Sequence, residues 1–263
     1  MIDGHTQLVG LIGWPVEHSL SPAMHNAAFD ALGLNWRYVP LPVPPRQVEA
    51  AVRGLAALGF RGANVTVPHK RAAMPALDSI GPGARALGAV NTLVVSQRAD
   101  GSPLIGGYNT DCAGFAAALR EGGFEPEGGG NAVVIGAGGA ARAVVHGLLC
   151  SGIGEIVVLN RTLERALALV SDLEPLPASG REASPFPPRK GGQRVRLRAL
   201  PLTPETLVES ACAAGLLVNT TTVGMWPRVD SSVWPDGVPI PAHLTVFDLV
   251  YNPLETRLLR QVQ

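Results

Sequence analysis

The chain has 263 residues, of which 46% are hydrophobic and 16% charged, so it carries enough apolar material for a core and is not globally disordered. A length of this order makes one large domain or two small ones. Lys plus Arg equals Asp plus Glu at 21 each, which removes any net field directed at nucleic acid or an acidic membrane.

Taken in order, short β-type runs alternate with longer helical ones. Residues 7–13 read as a strand ending at glycine. Residues 21–32 read as a helix with Pro22 in its first turn and Gly33 as its stop. Residues 36–41 form a second expected strand, 47–58 an alanine-rich helix, and 62–67 a third strand halted by Pro68. The runs 93–95 and 104–105 flank Asp100-Gly101 and predict a hairpin. Residues 112–120 read as a helix, and 122–130 as a glycine-rich break. An apolar strand follows at 131–135, of the kind buried on both faces in parallel sheets. After it come a helix at 138–150, a strand at 155–159, a helix at 163–173, a strand at 195–200, a helix at 204–212, and strands at 216–219 and 244–248. This β-α-β-α order predicts a doubly wound domain with right-handed crossovers. Residues 174–198 are rich in Pro, Arg and Gly and have no hydrophobic period. They read as a loop insertion rather than a basic docking patch for a polyanion.

Cys112, Cys150 and Cys212 are far apart and make no metal-ligand pattern, so they read as buried small hydrophobes in a reducing cytoplasm. Residues 1–10 show no signal-peptide pattern, and no apolar run approaches the roughly 18 residues of a membrane span. A soluble, cytoplasmic protein is expected, with no metal and no nucleic-acid or membrane partner.

The run Gly136-Ala-Gly-Gly-Ala-Ala141 follows a predicted strand and opens a predicted helix. It fits the G-x-G-x-x-A form of the dinucleotide fingerprint. Gly136 permits the tight turn, Gly138 lets the backbone approach a pyrophosphate, and Ala141 keeps the helix close to the strand. The helix N-terminus offers unpaired N–H groups to the phosphates. The next strand ends in Asn160-Arg161-Thr162. An NAD binder usually places Asp or Glu near this point to hold the ribose hydroxyls. A carboxylate would repel a 2′-phosphate, whereas a guanidinium binds it with two hydrogen bonds. NADP(H) is therefore expected over NAD.

The N-terminal half has polar clusters of its own. Ser19 and Ser21 precede or open a helix, where their hydroxyls either cap it or donate to a substrate carboxylate. In the expected third strand, alternation turns Asn64 and Thr66 to one face and Val65 and Val67 to the other, with Lys70 just beyond. Residues 88–92 and 109–111 add the amides of Asn91 and Asn109 and the carboxylate of Asp111. Reduction of a ketone needs a proton donor for the developing alkoxide, and Lys70 and Asp111 are the candidates. A surface lysine and a helix-capping aspartate are the alternatives for these two residues.

The clusters HSLSP (18–22), NVTVPHK (64–70), GAVNT (88–92), NTD (109–111), GAGGAARA (136–143), NRT (160–162), NTTTVGM (219–225) and DLVYNPLET (248–256) occur in an order and spacing that resemble the shikimate dehydrogenases. The likeness runs over about residues 8–259, with 174–198 outside it. It implies an α/β fold: an N-terminal substrate-binding domain and a Rossmann-type, doubly wound NADP-binding domain, with a cleft between them. The expected bounds are 1–111 for the substrate domain, 112–243 for the NADP domain and 244–263 for the last Rossmann strand and the start of a return segment. The implied reaction is NADPH-dependent, reversible reduction of 3-dehydroshikimate to shikimate on the chorismate route to aromatic amino acids.

By the same resemblance Ser19 and Ser21 bind the substrate carboxylate. Asn64, Thr66, Asn91 and Tyr251 hold its hydroxyls or line its pocket, and Lys70 and Asp111 form the catalytic pair beside the carbonyl. Gly136, Ala137, Gly138, Gly139, Ala140, Asn160, Arg161 and Thr162 bind the cofactor, with Met225 and Leu249 near the nicotinamide. Two other readings stay open: a quinate/shikimate dehydrogenase using NAD, and another two-domain NADP enzyme such as a folate dehydrogenase. The Asn160-Arg161-Thr162 strand end and Thr66 count against the first, and the serine and 64–70 clusters against the second.

The family pattern continues past its DLVYNPLET motif with a helix, a glycine turn, a segment like G-x-x-M-L-x-x-Q and a final helix. Residues 258–263 are expected to fall in the first of these helices, so the family's C-terminal segment is read as missing. Three expectations follow: an active reductase that tolerates the loss, a truncated NADP-binding relative with weak or no activity, or a chain whose exposed face a partner chain covers. A monomer or homodimer is expected.

Overall fold

Two separate sheets organise the chain, one in each of two compact units, Met1–Thr110 and Asp111–Gln263. The computed structural model describes residues 2–124, 130–151, 153–173 and 195–262.

In the first unit β1 (Gln7–Gly13), α1 (Ser21–Ala31), β2 (Trp36–Pro42), α2 (Val48–Ala57) and β3 (Phe60–Val65) succeed one another. They are followed by β4 (Ser79–Ile80), α3 (Pro82–Leu87), β5 (Thr92–Gln97) and β6 (Pro103–Tyr108). The six-stranded sheet has the order β2-β1-β3-β5-β6-β4. β1 pairs in parallel with β2 and β3, while β5 runs antiparallel to β3 and β6. α1 ends at Ala31 with Leu32 as its C-cap, and Gly33 just beyond, with a φ of +66° that suits glycine, stands at the stop as expected. α2 places Val48, Val52 and Leu55 on one stripe. They pack into a core with Ile12, Val65, Leu93 and Ile105, and each such side chain contributes about 1.5–3 kcal/mol on burial.

The second unit holds α4 (Asp111–Glu121), β7 (Asn131–Ile135), α5 (Gly139–Ser151), β8 (Glu155–Asn160) and α6 (Leu163–Leu173). It continues with β9 (Arg196–Pro201), α7 (Pro204–Cys212), β10 (Leu216–Asn219), β11 (Thr245–Asp248) and α8 (Arg257–Val262). All five strands are parallel, in the order β11-β10-β7-β8-β9. Period-two alternation sends Ala132 and Val134 of β7 to a core with α4, α5 and α6. Val133 and Ile135 go to a second core with α7, Trp234 and Leu258. Both faces of the sheet are covered, which makes the unit doubly wound, and the strand order reverses between β7 and β10.

Several expectations are corrected. β3 starts at Phe60 and stops at Val65, so Thr66 and Val67 lie beyond the strand and do not extend its alternation. Proline at 68 has no N–H to continue the ladder, and Val67 is 56% exposed where strand alternation would bury it beside Val65. Residues 174–194 of the expected loop insertion lie outside the described residues, but Arg196–Arg198 belong to β9 and pair with β8. Cys112 and Cys150 are buried as expected, whereas Cys212 is exposed at the end of α7. β4 and α3 were not anticipated, whereas α8 (Arg257–Val262) lies where a helix was expected from residue 258. No helix among the described residues is long and apolar enough to cross a membrane. No group of three or more metal-ligating side chains occurs among the described residues.

Candidate functional site

The second unit builds its site at the C-terminal ends of β7, β8, β10 and β11. β7 runs into Gly136, whose φ is +114° and whose N–H donates to the carbonyl of Leu159 at 2.8 Å. A Cβ on Gly136 would lie 2.5 Å from Thr220 Oγ1. Gly138 has no atom within 4 Å of the position its Cβ would take, so the backbone there faces open space. Gly139 and Ala140 open α5, and Ala141 is fully buried beneath them. The N–H groups of that first turn lack acceptors within the helix. An open backbone, unpaired amides and a helix N-terminus suit a pyrophosphate, so the residues present fit the expected dinucleotide. Arg142 on α5 is buried and donates to Asp172 Oδ2 on α6 at 2.8 Å, which fixes the helix that carries the turn.

On the neighbouring strand, Asn160 Nδ2 donates to the carbonyl of Thr162 at 2.8 Å and shapes the turn that presents Arg161. Arg161 and Thr162 are exposed, and Arg161 has no ion-pair partner among the described residues. No carboxylate occurs at 160–162.

Met225 and Leu249, both half-buried, lie on the loops after β10 and β11, and Tyr251 is exposed two residues beyond Leu249. Those loops share a polar network that sequence reading missed. Asn219 Nδ2 donates to Asp248 Oδ1 at 2.9 Å, and Thr256 Oγ1 donates to Asp248 Oδ2 at 2.7 Å. Burial pushes the Asp248 carboxyl up, against the pull of the donors from Thr256, Val250 and Asn219. Asn219 opens the run 219–225 and Asp248 and Thr256 bound the run 248–256, but neither run by itself shows that these side chains meet.

The first unit carries the other group of expected residues. Leu20 occupies the N-cap position of α1, and no side chain caps that helix. Ser21 is its first residue, and Ser19 Oγ accepts from Ser21 N at 3.2 Å. Asn64 lies on β3, where Tyr38 OH donates to its Oδ1 at 2.8 Å and its Nδ2 donates to the carbonyl of Asn91 at 3.3 Å. Tyr38 stacks on His25 at 4.4 Å between ring centroids and is held by the Asn26 side chain through its backbone N–H and carbonyl. Asn91 is buried, and its Oδ1 accepts from Thr110 N and Thr92 Oγ1, each at 2.9 Å. Asn91 Nδ2 donates to Thr110 Oγ1 at 3.0 Å.

Thr66 N donates to the carbonyl of Ile12 at 2.8 Å, which draws the end of β3 against β1. Lys70 follows in the next loop, and its carbonyl accepts from Val90 N at 2.8 Å. Sequence reading also missed His69, which is buried with Nε2 at 2.7 Å from the carbonyl of Val43 and anchors that loop. Asn64, Asn91, Tyr38 and Thr110 thus form one connected cluster in this unit. Asp111 follows Thr110 directly and is the first residue of α4.

A doubly wound unit with an open glycine turn at its switch point, preceded by an α/β unit with a polar cluster, defines a two-unit, dinucleotide-dependent oxidoreductase. Residues 11–93 match the family model for the shikimate dehydrogenase substrate binding domain, and residues 122–180 match that for shikimate / quinate 5-dehydrogenase. The chain is 48% identical to shikimate dehydrogenase (NADP(+)) of Moorella thermoacetica over 98% of its own length and 80% of that relative's. Shikimate 5-dehydrogenase of Thermus thermophilus, solved in complex with NADP(H) and shikimate, is 38% identical with a TM-score of 0.76. That likeness covers 97% of this chain and 83% of the other. The enzyme of Listeria monocytogenes, solved in complex with shikimate and NAD, is 33% identical with a TM-score of 0.77, covering 99% and 84% of the two chains. This chain belongs to the shikimate dehydrogenase family.

Proposed function

We propose that this chain catalyses the reversible, NADPH-dependent reduction of 3-dehydroshikimate to shikimate, the reaction class its family carries in aromatic amino acid biosynthesis. The observation that carries the cofactor choice is a glycine turn open at Gly138 beside an exposed Arg161, with no carboxylate at that strand end. Arg161, with Asn160 and Thr162, binds the 2′-phosphate, and the backbone from Gly136 to Ala140 binds the pyrophosphate. A quinate dehydrogenase reading with NAD would need an acid to accept from the ribose hydroxyls, and none is present at 160–162.

The second unit is assigned to the cofactor and the first to the substrate. When bound, NADPH supplies the hydride for the C3 ketone. Ser19 and Ser21 donate to the substrate carboxylate. Ser21 Oγ is suited to this because it is not used to cap α1. Asn64, Thr66, Asn91 and Tyr251 hold the ring hydroxyls or line the pocket. The Asn91 carboxamide is occupied with Thr110 and Thr92, so its part is to keep Asn64 and the chain entering Asp111 in place. Lys70 gives a proton to the alkoxide oxygen as the C–H bond forms, and Asp111 orients Lys70 and the substrate. Met225 and Leu249 pack near the nicotinamide. Free buried thiols at Cys112 and Cys150 suit the reducing cytoplasm, where the chain acts as a monomer or homodimer.

The test is a pair of variants. Lys70→Ala is expected to lower kcat by about 10²–10⁴-fold with shikimate binding largely kept, and Asp111→Asn to lower it as well. Near-normal turnover in Lys70→Ala beside a dead Asp111→Asn would move the proton-donating role away from the lysine.

A further inference from the structure

β10 and β11 are neighbouring parallel strands, and in their register Asn219 stands opposite Asp248. Each is the last residue of its strand. Asp248 Oδ1 accepts from Asn219 Nδ2 at 2.9 Å and from Val250 N at 3.0 Å, and Oδ2 accepts from Thr256 Oγ1 at 2.7 Å. Asn219 passes the restraint on: its Oδ1 accepts from Thr221 N at 3.1 Å and Thr221 Oγ1 at 2.7 Å. The backbones of the two loops also meet, with Leu249 N donating to the carbonyl of Asn219 at 3.0 Å and Trp226 N to that of Asn252 at 3.0 Å. Asn219 is 1% exposed and Thr256 0%.

A half-buried carboxylate still loses solvation that its lone pairs must recover, and here donors from three separate segments fill them. What the carboxylate fixes is a pair of loops, 219–226 and 249–252, more than the core. Both loops leave the C-terminal ends of strands on one side of the switch point, next to the glycine turn after β7. Open α/β sheets bind their ligands at that place. The first of these loops also reaches the turn itself, because Thr220 Oγ1 donates to the carbonyl of Ile135 at 2.7 Å.

We infer that Asp248 is a positioning residue for the nicotinamide end of the cofactor: held between Asn219 and Thr256, its carboxylate locks the loops after β10 and β11 into a single wall for that ring. The inference rests on the proposed function above. The adenosine and 2′-phosphate end is served by other elements, β8 and the first turn of α5. Damage to the clamp should therefore separate the two ends of the cofactor, which a general loss of stability would not do.

The experiment compares binding of NADP⁺ and of 2′,5′-ADP, which lacks the nicotinamide, by titration calorimetry, with turnover on shikimate followed in parallel. The proteins are the wild-type chain, Asp248→Asn, Thr256→Val and Thr256→Ser. Asp248→Asn turns one acceptor into a donor, and Thr256→Val removes the hydroxyl without changing the shape. Both are expected to weaken NADP⁺ by about tenfold or more and to lower kcat, with 2′,5′-ADP kept within about twofold. Thr256→Ser keeps the hydroxyl and is expected to restore both readouts. Should Asp248→Asn fail to fold, Thr256→Val decides. Equal weakening of both ligands, or no weakening of NADP⁺ in Thr256→Val, overturns the inference. A wild-type chain that binds neither ligand overturns the functional reading itself, and this inference with it.

Discussion

Thr220 Oγ1 donates to the carbonyl of Ile135 at 2.7 Å and lies 2.5 Å from the point a Cβ on Gly136 would occupy. The glycine turn is thus wedged from the end of β10. Gly136 also has a φ of +114°, where side chains are strained. Gly136→Ala must distort the backbone and displace Thr220, so it is expected to cost about 1–3 kcal/mol of stability and to abolish NADP⁺ binding. Gly138→Ala puts its methyl into open space, and it should leave the melting temperature of the free protein near wild type while removing the thermal shift produced by NADP⁺. Equal melting temperatures for the two variants without cofactor would contradict this account.

Arg161 is the one charged residue among 160–162 at the end of β8, and the Asn160 side chain shapes the turn beneath it. Replacing a charge-assisted contact to the 2′-phosphate removes about 1.5–3 kcal/mol. Arg161→Ala should therefore raise the KM for NADPH by about 10- to 100-fold and leave that for NADH unchanged. Steady-state kinetics with both nucleotides measure this directly, and an unchanged NADPH KM would contradict the cofactor assignment.

Within the second unit, α4 and α5 meet at Cys112 Sγ and His146 Nδ1, 3.7 Å apart. Burial, with smaller contributions from Cys150 and Asp111, pushes the Cys112 thiol up to about 12. At pH 8 a thiol reagent should modify exposed Cys212 and spare Cys112 and Cys150 until the chain is unfolded. Rapid modification of Cys112 in the native protein would mean that the α4–α5 packing opens.

His146 is 2% exposed, and burial holds its imidazole below the ordinary 6.5. Its Nε2 has no hydrogen-bond partner among the described residues. The unfolded chain takes up a proton that the folded chain rejects. The stability contribution is therefore full above pH 6.5 and is lost as pH falls through the lower folded value. His146→Gln should flatten the fall in unfolding free energy as pH drops below 6.5, with the half-buried His25, whose imidazole burial also lowers, supplying a residual slope. Parallel curves for wild type and variant in urea titrations would remove His146 from the acid response.

The doubly wound unit was legible because its strands are apolar runs bounded by glycine and caps. The run 131–135 is buried on both faces, and the turn after it is readable residue by residue. Ser19 and Ser21 were harder, because Leu20 takes the N-cap position that either serine was expected to fill. β9 was partly hidden in a stretch classed by its Arg, Pro and Gly content. Its Arg-Leu-Arg-Ala-Leu alternation is that of an edge strand with one half-buried face. The Asn219–Asp248 contact left no local trace, because it depends on the register of two strands whose partners are 29 residues apart in sequence. The ends of β3 and β4 similarly depend on pairing and not on composition.

The measurement that bears most directly on the central claim is the absorbance of NADPH after the purified chain is mixed with shikimate and NADP⁺ at mildly alkaline pH, with quinate and NAD⁺ in parallel. The account predicts a rise that requires both shikimate and NADP⁺ and is much slower with quinate or NAD⁺. No rise from folded protein, or a faster rise with quinate and NAD⁺, would contradict it.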